Sequence, residues 1–174
     1  MRIENDILIP ELARLLAEGK EVRFTPSGVS MRPFIEGDKD SVILAPLTRE
    51  PKRGDIVLAH AVMSDKSTTY VLHRIVRIEQ SPISKHQTPI TRSVLPLSEG
   101  AASAEKGSPV THYYLQGDGN LQGEESCLRE DILGYVVAIE RPNGRRKCLT
   151  NGVLWNLLKP IRKYLLKLYR KCAL

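Results

Sequence analysis

Apolar residues recur along this chain in two rhythms. Over residues 6–19, Ile9, Leu12, Leu15 and Leu16 fall three and four apart, and Gly19 follows as a stop. That spacing predicts a short amphipathic opening helix. From residue 21 the rhythm shortens. Glu21–Phe24, Ser41–Ala45, Asp55–Ala61, Tyr70–Ile78, His112–Gln116 and Leu133–Glu140 read as strands, with glycine and proline as punctuation. No strand–helix–strand alternation is present, so the fold class expected is mainly β, with a bent sheet, mixed or antiparallel. Residues 81–110 break the pattern. They hold Pro82, Pro89, Pro96 and Pro109 among many Ser and Thr, which predicts a long surface insertion. The expected organisation is a helix over 1–20, a β domain over 21–142 carrying that insertion, and a tail over 143–174.

The tail changes the picture because it is basic as well as amphipathic. Leu154, Leu157, Leu158, Ile161, Leu165, Leu168 and Cys172 share one helical face, and Lys159, Arg162, Lys163, Lys167, Arg170 and Lys171 lie elsewhere. Pro160 kinks or restarts this helix. Trp155, Tyr164 and Tyr169 suit a membrane interface. The chain has a net charge of +6, yet from Arg141 onward there are ten Lys or Arg and no acid. The tail therefore carries +10 and the preceding 140 residues carry −4. An anionic membrane surface meeting residues 151–174 is the expected partner, with plain packing of the tail on the body and binding of another acidic partner as the alternatives. A negative body is poorly suited to DNA, so no specific nucleic acid is expected.

At 174 residues with 41% apolar content, one domain can bury a core. Cys127, Cys148 and Cys172 have no metal-ligand spacing, and an odd count argues against a disulfide framework. His60, His86 and His112 stand in no ligand pattern either, so neither metal nor cofactor is expected. The polar start Met1-Arg-Ile-Glu-Asn-Asp6 does not read as an export signal, and no run approaches a membrane span. The expected location is the cytoplasm, peripheral on the inner face of the membrane.

Candidate chemistry centres on Thr25-Pro-Ser-Gly-Val-Ser-Met-Arg-Pro33 and on Tyr70-Val-Leu-His-Arg-Ile75. Small residues around Ser30 let the backbone turn tightly and present a hydroxyl with little cover. A hydroxyl is a weak nucleophile until a base takes its proton, and His73 is the candidate base. Histidine, with a free pKa of about 6.5, is largely neutral at pH 7, whereas a lysine base must first be desolvated. Arg74 follows His73 on an extended strand and so faces the other way, which suits loop positioning. Asp38 and Asp55, each after glycine, read as turn residues.

Four segments stand in a recognisable order: Ser27-Gly-Val-Ser-Met-Arg-Pro33 with Ile35-Glu-Gly-Asp38; Lys52-Arg-Gly-Asp-Ile-Val57; Tyr70-Val-Leu-His-Arg-Ile75; and Leu115-Gln-Gly-Asp-Gly-Asn120 with Ile132-Leu-Gly-Tyr-Val136. This succession, over roughly residues 22–140, resembles the superfamily of type I signal peptidases and LexA-like self-cleaving proteases. Histidine followed by arginine looks like the endoplasmic-reticulum, archaeal and sporulation-type branch. The resemblance implies a serine endopeptidase with Ser30 as nucleophile and His73 as general base. It acts on a peptide or protein after small residues at the −1 and −3 positions, by way of an acyl-enzyme. It also implies an acid in or just after the Gly-Asp-x-Asn segment to orient the imidazole. Asp118 is the first choice and Glu124 the rival. Backbone N–H groups of Ser30 and Val29 are the expected oxyanion donors. The place where bacterial-type enzymes use a serine hydroxyl is here Gly28. Ala102-Ser-Ala104 before Glu105 fits the cleavage rule and marks a candidate self-cleavage site. A LexA-like regulatory protease and a catalytically idle scaffold of the same fold are the alternatives.

Overall fold

The computed structural model describes residues 5–81, 109–120, 123–148, 161 and 164–168. Most of the 81–110 insertion, including Ala102-Ser-Ala104 and Glu105, lies outside the described residues, as does most of the tail.

The opening helix is α1, Asn5–Ala17. Ile9, Leu12 and Leu16 are buried from it, at three and four residues apart as the pattern predicts, and Leu15 is half-buried. Among the described residues eight strands follow: β1 Val22–Phe24, β2 Ser41–Ala45, β3 Ile56–Val62, β4 Thr68–Ser81, β5 Val110–Gln116, β6 Glu125–Leu128, β7 Ile132–Glu140 and β8 Arg146–Cys148. A 3₁₀ turn, Arg129–Asp131, joins β6 to β7. The sheet runs β1-β2-β7-β3-β4-β5-β6, with β8 on β7. Every pairing is antiparallel, which resolves the choice between mixed and antiparallel.

Register shifts interrupt three ladders, at Ile43/Leu44, Leu58/Ala59 and Ile75/Arg77. Such bulges bend strands and raise local twist. The bending brings β6 back to β3 through Val62 and Ser126, so β3, β4, β5 and β6 curl toward a closed ring. Strand β4 serves two partners in succession: β3 along Thr68–Arg74 and β5 from Arg74 to Ser81.

The central strand β3 is buried on both faces, and its alternation divides the core. Ile56 and Leu58 join α1, β2 and β7 in one cluster, together with Met31 and Ile35 from the β1–β2 connection. Val57, Ala59 and Ala61 face a second cluster with Val71, Ile75, Tyr113, Leu115, Cys127 and Ile132. Helix α1 lies close on β7, where a Cβ on Gly134 would meet Ala45 O at 2.7 Å and a Leu16 methyl at 3.2 Å.

Cys127 sits in the second cluster at 4% exposure. Burial, assisted by the negative charge of Asp131, pushes its thiol up to about 12. Only the thiolate is nucleophilic, so Cys127 is expected to resist iodoacetamide at pH 8 in the folded chain and to label in urea, as read by peptide mass spectrometry. The sign of the linkage is definite. A raised thiol pKa stabilises the fold fully below the ordinary thiol range, and that contribution is lost as pH climbs toward about 12.

Residues 164–168 of the tail are helical. Leu166 is buried, whereas Ile161, Tyr164, Leu165 and Leu168 are exposed. Of the predicted apolar face, Ile161, Leu165 and Leu168 are thus turned to solvent, and a different leucine, Leu166, packs inward. Among the described residues no helix is long and apolar enough to cross a membrane.

Candidate active site

Ser30 lies between β1 and β2 in a segment of turns from Pro26 to Asp40. The segment closes on itself through the Asp38 N–H, which donates to Pro26 O at 2.8 Å, and is anchored by Met31 and Ile35 in the first core cluster. Gly28, at φ +95°, supplies the left-handed step that a chain with Cβ resists. Gly37 packs face to face against it: a Cβ on Gly37 would stand 1.9 Å from Gly28 O. Gly37→Ala must therefore push the two halves of the turn apart. It is expected to cost about 1–3 kcal/mol by overpacking, measured by urea unfolding.

His73 enters from β4, directly across from Val57 of β3 and on the inner face it shares with Val71 and Ile75. It is 6% exposed. Its Nε2 lies 2.9 Å from Ser30 Oγ, and its Nδ1 lies 3.0 Å from Glu125 Oε2. The structure thus brings together the serine and the histidine singled out in the sequence, in hydrogen-bond contact.

It does not bring Asp118 to the imidazole. Asp118, 1% exposed, accepts two bonds from Arg74: Nε donates to Oδ1 at 2.8 Å and Nη2 to Oδ2 at 2.7 Å. Arg74 follows His73 on β4 and so turns to the opposite face, across from Gln116 at the end of β5, and Asp118 meets it there from the turn that follows β5. Glu124, the rival, is also elsewhere. It is exposed and accepts from Arg77 Nη2 at 3.3 Å.

The carboxylate that meets the imidazole is Glu125, the next residue, on the inward side of β6. It is 5% exposed and sits across from Leu115, which in turn sits across from Ile75. The apolar rhythm of the sequence marks no strand over 125–128, so Glu125 is not among the candidates that rhythm offers. The signal was there: on a strand, Glu125 and Cys127 share one face while Glu124, Ser126 and Leu128 share the other.

The geometry has a definite chemical content. A carboxylate at Nδ1 favours the tautomer with the proton on Nδ1, leaving the Nε2 lone pair directed at the hydroxyl. The hydroxyl can then donate to Nε2 and lose its proton there during attack on an electrophile. The peptide groups beside it are fixed: Val29 O accepts from Arg32 N–H at 3.2 Å and Ser30 O from Gly119 N–H at 2.7 Å. Val29 itself is 59% exposed beside the serine. A cavity of about 150 Å³ opens at the Ser30 side chain, lined among others by Gly28, Met31, Ile35, Gly37, Tyr70 and Leu72. Among the described residues, no group of His, Cys, Asp and Glu could hold a metal ion.

Compared with family models, curated proteins and solved structures, the chain matches none.

Proposed function

We propose that this protein is a serine endopeptidase of the signal-peptidase and LexA-like kind, with Ser30 as nucleophile, His73 as general base and Glu125 orienting the imidazole. The observation that carries the reading is the continuous hydrogen-bonded chain Ser30–His73–Glu125, at 2.9 and 3.0 Å, with the histidine and glutamate both nearly excluded from water. The order of the four sequence motifs supports it independently. In this mechanism Ser30 Oγ adds to the scissile carbonyl as its proton passes to His73. The proton then moves to the leaving amine, an acyl-enzyme remains, and a water deprotonated by His73 releases it. The Ser30 and Val29 N–H groups receive the oxyanion.

The substrate bound in this way is an extended peptide. Strand β4 pairs with β3 along Thr68–Arg74 but meets β5 only from Arg74 onward, so residues 68–73 have no second strand partner among the described residues. That open edge borders the cavity at Ser30, and a peptide adding to it gains main-chain hydrogen bonds. Small residues at −1 and −3 are the expected preference. The experiment is a pool of peptides bearing Ala-x-Ala, incubated with the full chain and read by mass spectrometry. Cleavage on the carboxyl side of the second alanine, abolished in Ser30→Ala, supports the reading. Equal cleavage by Ser30→Ala removes it, and an inert wild type removes it in favour of the idle scaffold.

The same reading places the enzyme at an anionic membrane surface through its tail. The exposed Ile161, Tyr164, Leu165 and Leu168 recur at helical spacing on a strongly basic segment. Co-sedimentation with phosphatidylglycerol vesicles, lost with phosphatidylcholine alone and weakened by Leu168→Ser, is the expected result.

A further inference from the structure

The segment that carries Ser30 contains neither strand nor α-helix, so its shape depends on what grips it from outside. Two arginines reach it from different strands and meet at Phe34. From β4, the Arg74 guanidinium carbon lies 5.5 Å from the centre of the Phe34 ring. From the end of β7, Arg141 Nη2 donates to the Phe34 carbonyl at 3.1 Å. The same Arg141 fork donates through Nη1 to Asp40 Oδ2 at 2.6 Å. Asp40 is 1% exposed, and that oxygen also accepts the Glu36 N–H at 2.7 Å. One guanidinium therefore ties β7 to both ends of the turn from Phe34 to Asp40. The turn leads back to the serine: Phe34 N–H and Ile35 N–H both donate to Met31 O, at 3.0 and 3.1 Å, and Met31 follows Ser30.

We infer that Arg141 is a positioning residue for Ser30. It locks the Phe34–Asp40 turn to β7 through its two-pronged contact, and so holds the hydroxyl against His73. The effect on rate rests on the peptidase reading; the effect on the loop does not. The competing account is that Arg141 only neutralises a buried carboxylate. The two accounts separate on chemistry. Removing the charge from both partners satisfies neutrality but takes the Arg141 donor away from Phe34 O. A lysine at 141 keeps the charge but, as a single point donor, cannot reproduce the fork.

The test compares full-length wild type, Arg141→Lys and the double variant Asp40→Asn/Arg141→Met. Hydrogen exchange is read at the Ile35 and Asp38 amides in the turn and at the Ile75 amide in the sheet. Turnover is read on the Ala-x-Ala peptide. Positioning is expected to appear as exchange about ten-fold faster or more at Ile35 and Asp38 in both variants, with Ile75 unchanged. The kcat is expected to fall by about 10²-fold while KM stays within about three-fold, because the groups that bind the peptide are untouched and only the hydroxyl is misplaced. Wild-type exchange at Ile35 and Asp38 in a folded variant overturns the inference, as does wild-type kcat in the double variant. Should the double variant fail to fold, Arg141→Lys decides alone. If wild type cleaves no peptide while the exchange pattern holds, the peptidase reading fails and the positioning role stands.

Discussion

Glu125→Gln is expected to lower kcat for peptide cleavage by roughly 10³–10⁴-fold, while KM changes little. The amide is nearly the shape of the carboxylate, so the fold and the cavity remain. What it loses is the obligation to accept. Glu125 sits 3.0 Å from His73 Nδ1 at 5% exposure, where no bulk water competes for the imidazole proton. A carboxylate can only accept there, which keeps the proton on Nδ1. A glutamine can instead turn its NH₂ to Nδ1 and move the ring proton to Nε2. The imidazole would then donate to Ser30 rather than accept from it, and general-base catalysis would stop. In serine hydrolases the corresponding amide substitution costs about 10⁴-fold for this reason. In the proposed mechanism it would also remove the negative charge facing the imidazolium that each step forms. Steady-state kinetics of Glu125→Gln beside Asp118→Asn is the check. Asp118→Asn should leave kcat much closer to wild type, since that side chain touches Arg74 and not the histidine. If Asp118→Asn suffers the greater loss of kcat, the assignment of Glu125 falls.

The second large effect is on stability. Arg74 and Asp118 are 2% and 1% exposed and joined by two bonds, and Arg74 Nη1 also donates to Gly54 O at 2.7 Å. Burying such ions is costly, and their mutual attraction offsets that cost only while both are present. Asp118→Ala is therefore expected to destabilise the chain by about 3–5 kcal/mol, since it strands a guanidinium in the interior. Replacing both partners, as Arg74→Met/Asp118→Leu, should recover most of that loss by removing the uncompensated charge. Urea unfolding of the two variants measures the difference. Equal destabilisation by the single and double variants would assign the damage to packing and not to charge.

The parts of this molecule legible in the sequence are those governed by short-range periodicity. Helix α1 and strands β1, β2, β3, β5 and β7 follow their apolar rhythm to within a few residues. Strand β4 runs further than its pattern suggests because the acidic and polar residues at its far end face water while still pairing with β5. Strands β6 and β8 carry no apolar rhythm in the sequence, because Glu125 and Ser126 open the one and Arg146 and Lys147 the other. Ser30 and His73 could be named from residue type and setting alone. Their contact could not, because it spans the β1–β2 connection and a strand of the other half of the sheet.

The amino-acid sequence by itself determined the mainly β class, the opening helix and the basic tail, because each depends on residues near one another along the chain; it singled out the loop serine and the strand histidine but not their contact, which joins positions 43 residues apart. Only the tertiary structure decided which carboxylate meets the imidazole. Asp118, Glu124 and Glu125 stand within eight positions of one another and carry the same chemistry. The register of β4, β5 and β6 turns Glu125 inward to His73, while Glu124, just before β6, stays in solvent with Arg77, and Asp118, in the turn after β5, meets Arg74, which alternation has put on the face opposite His73.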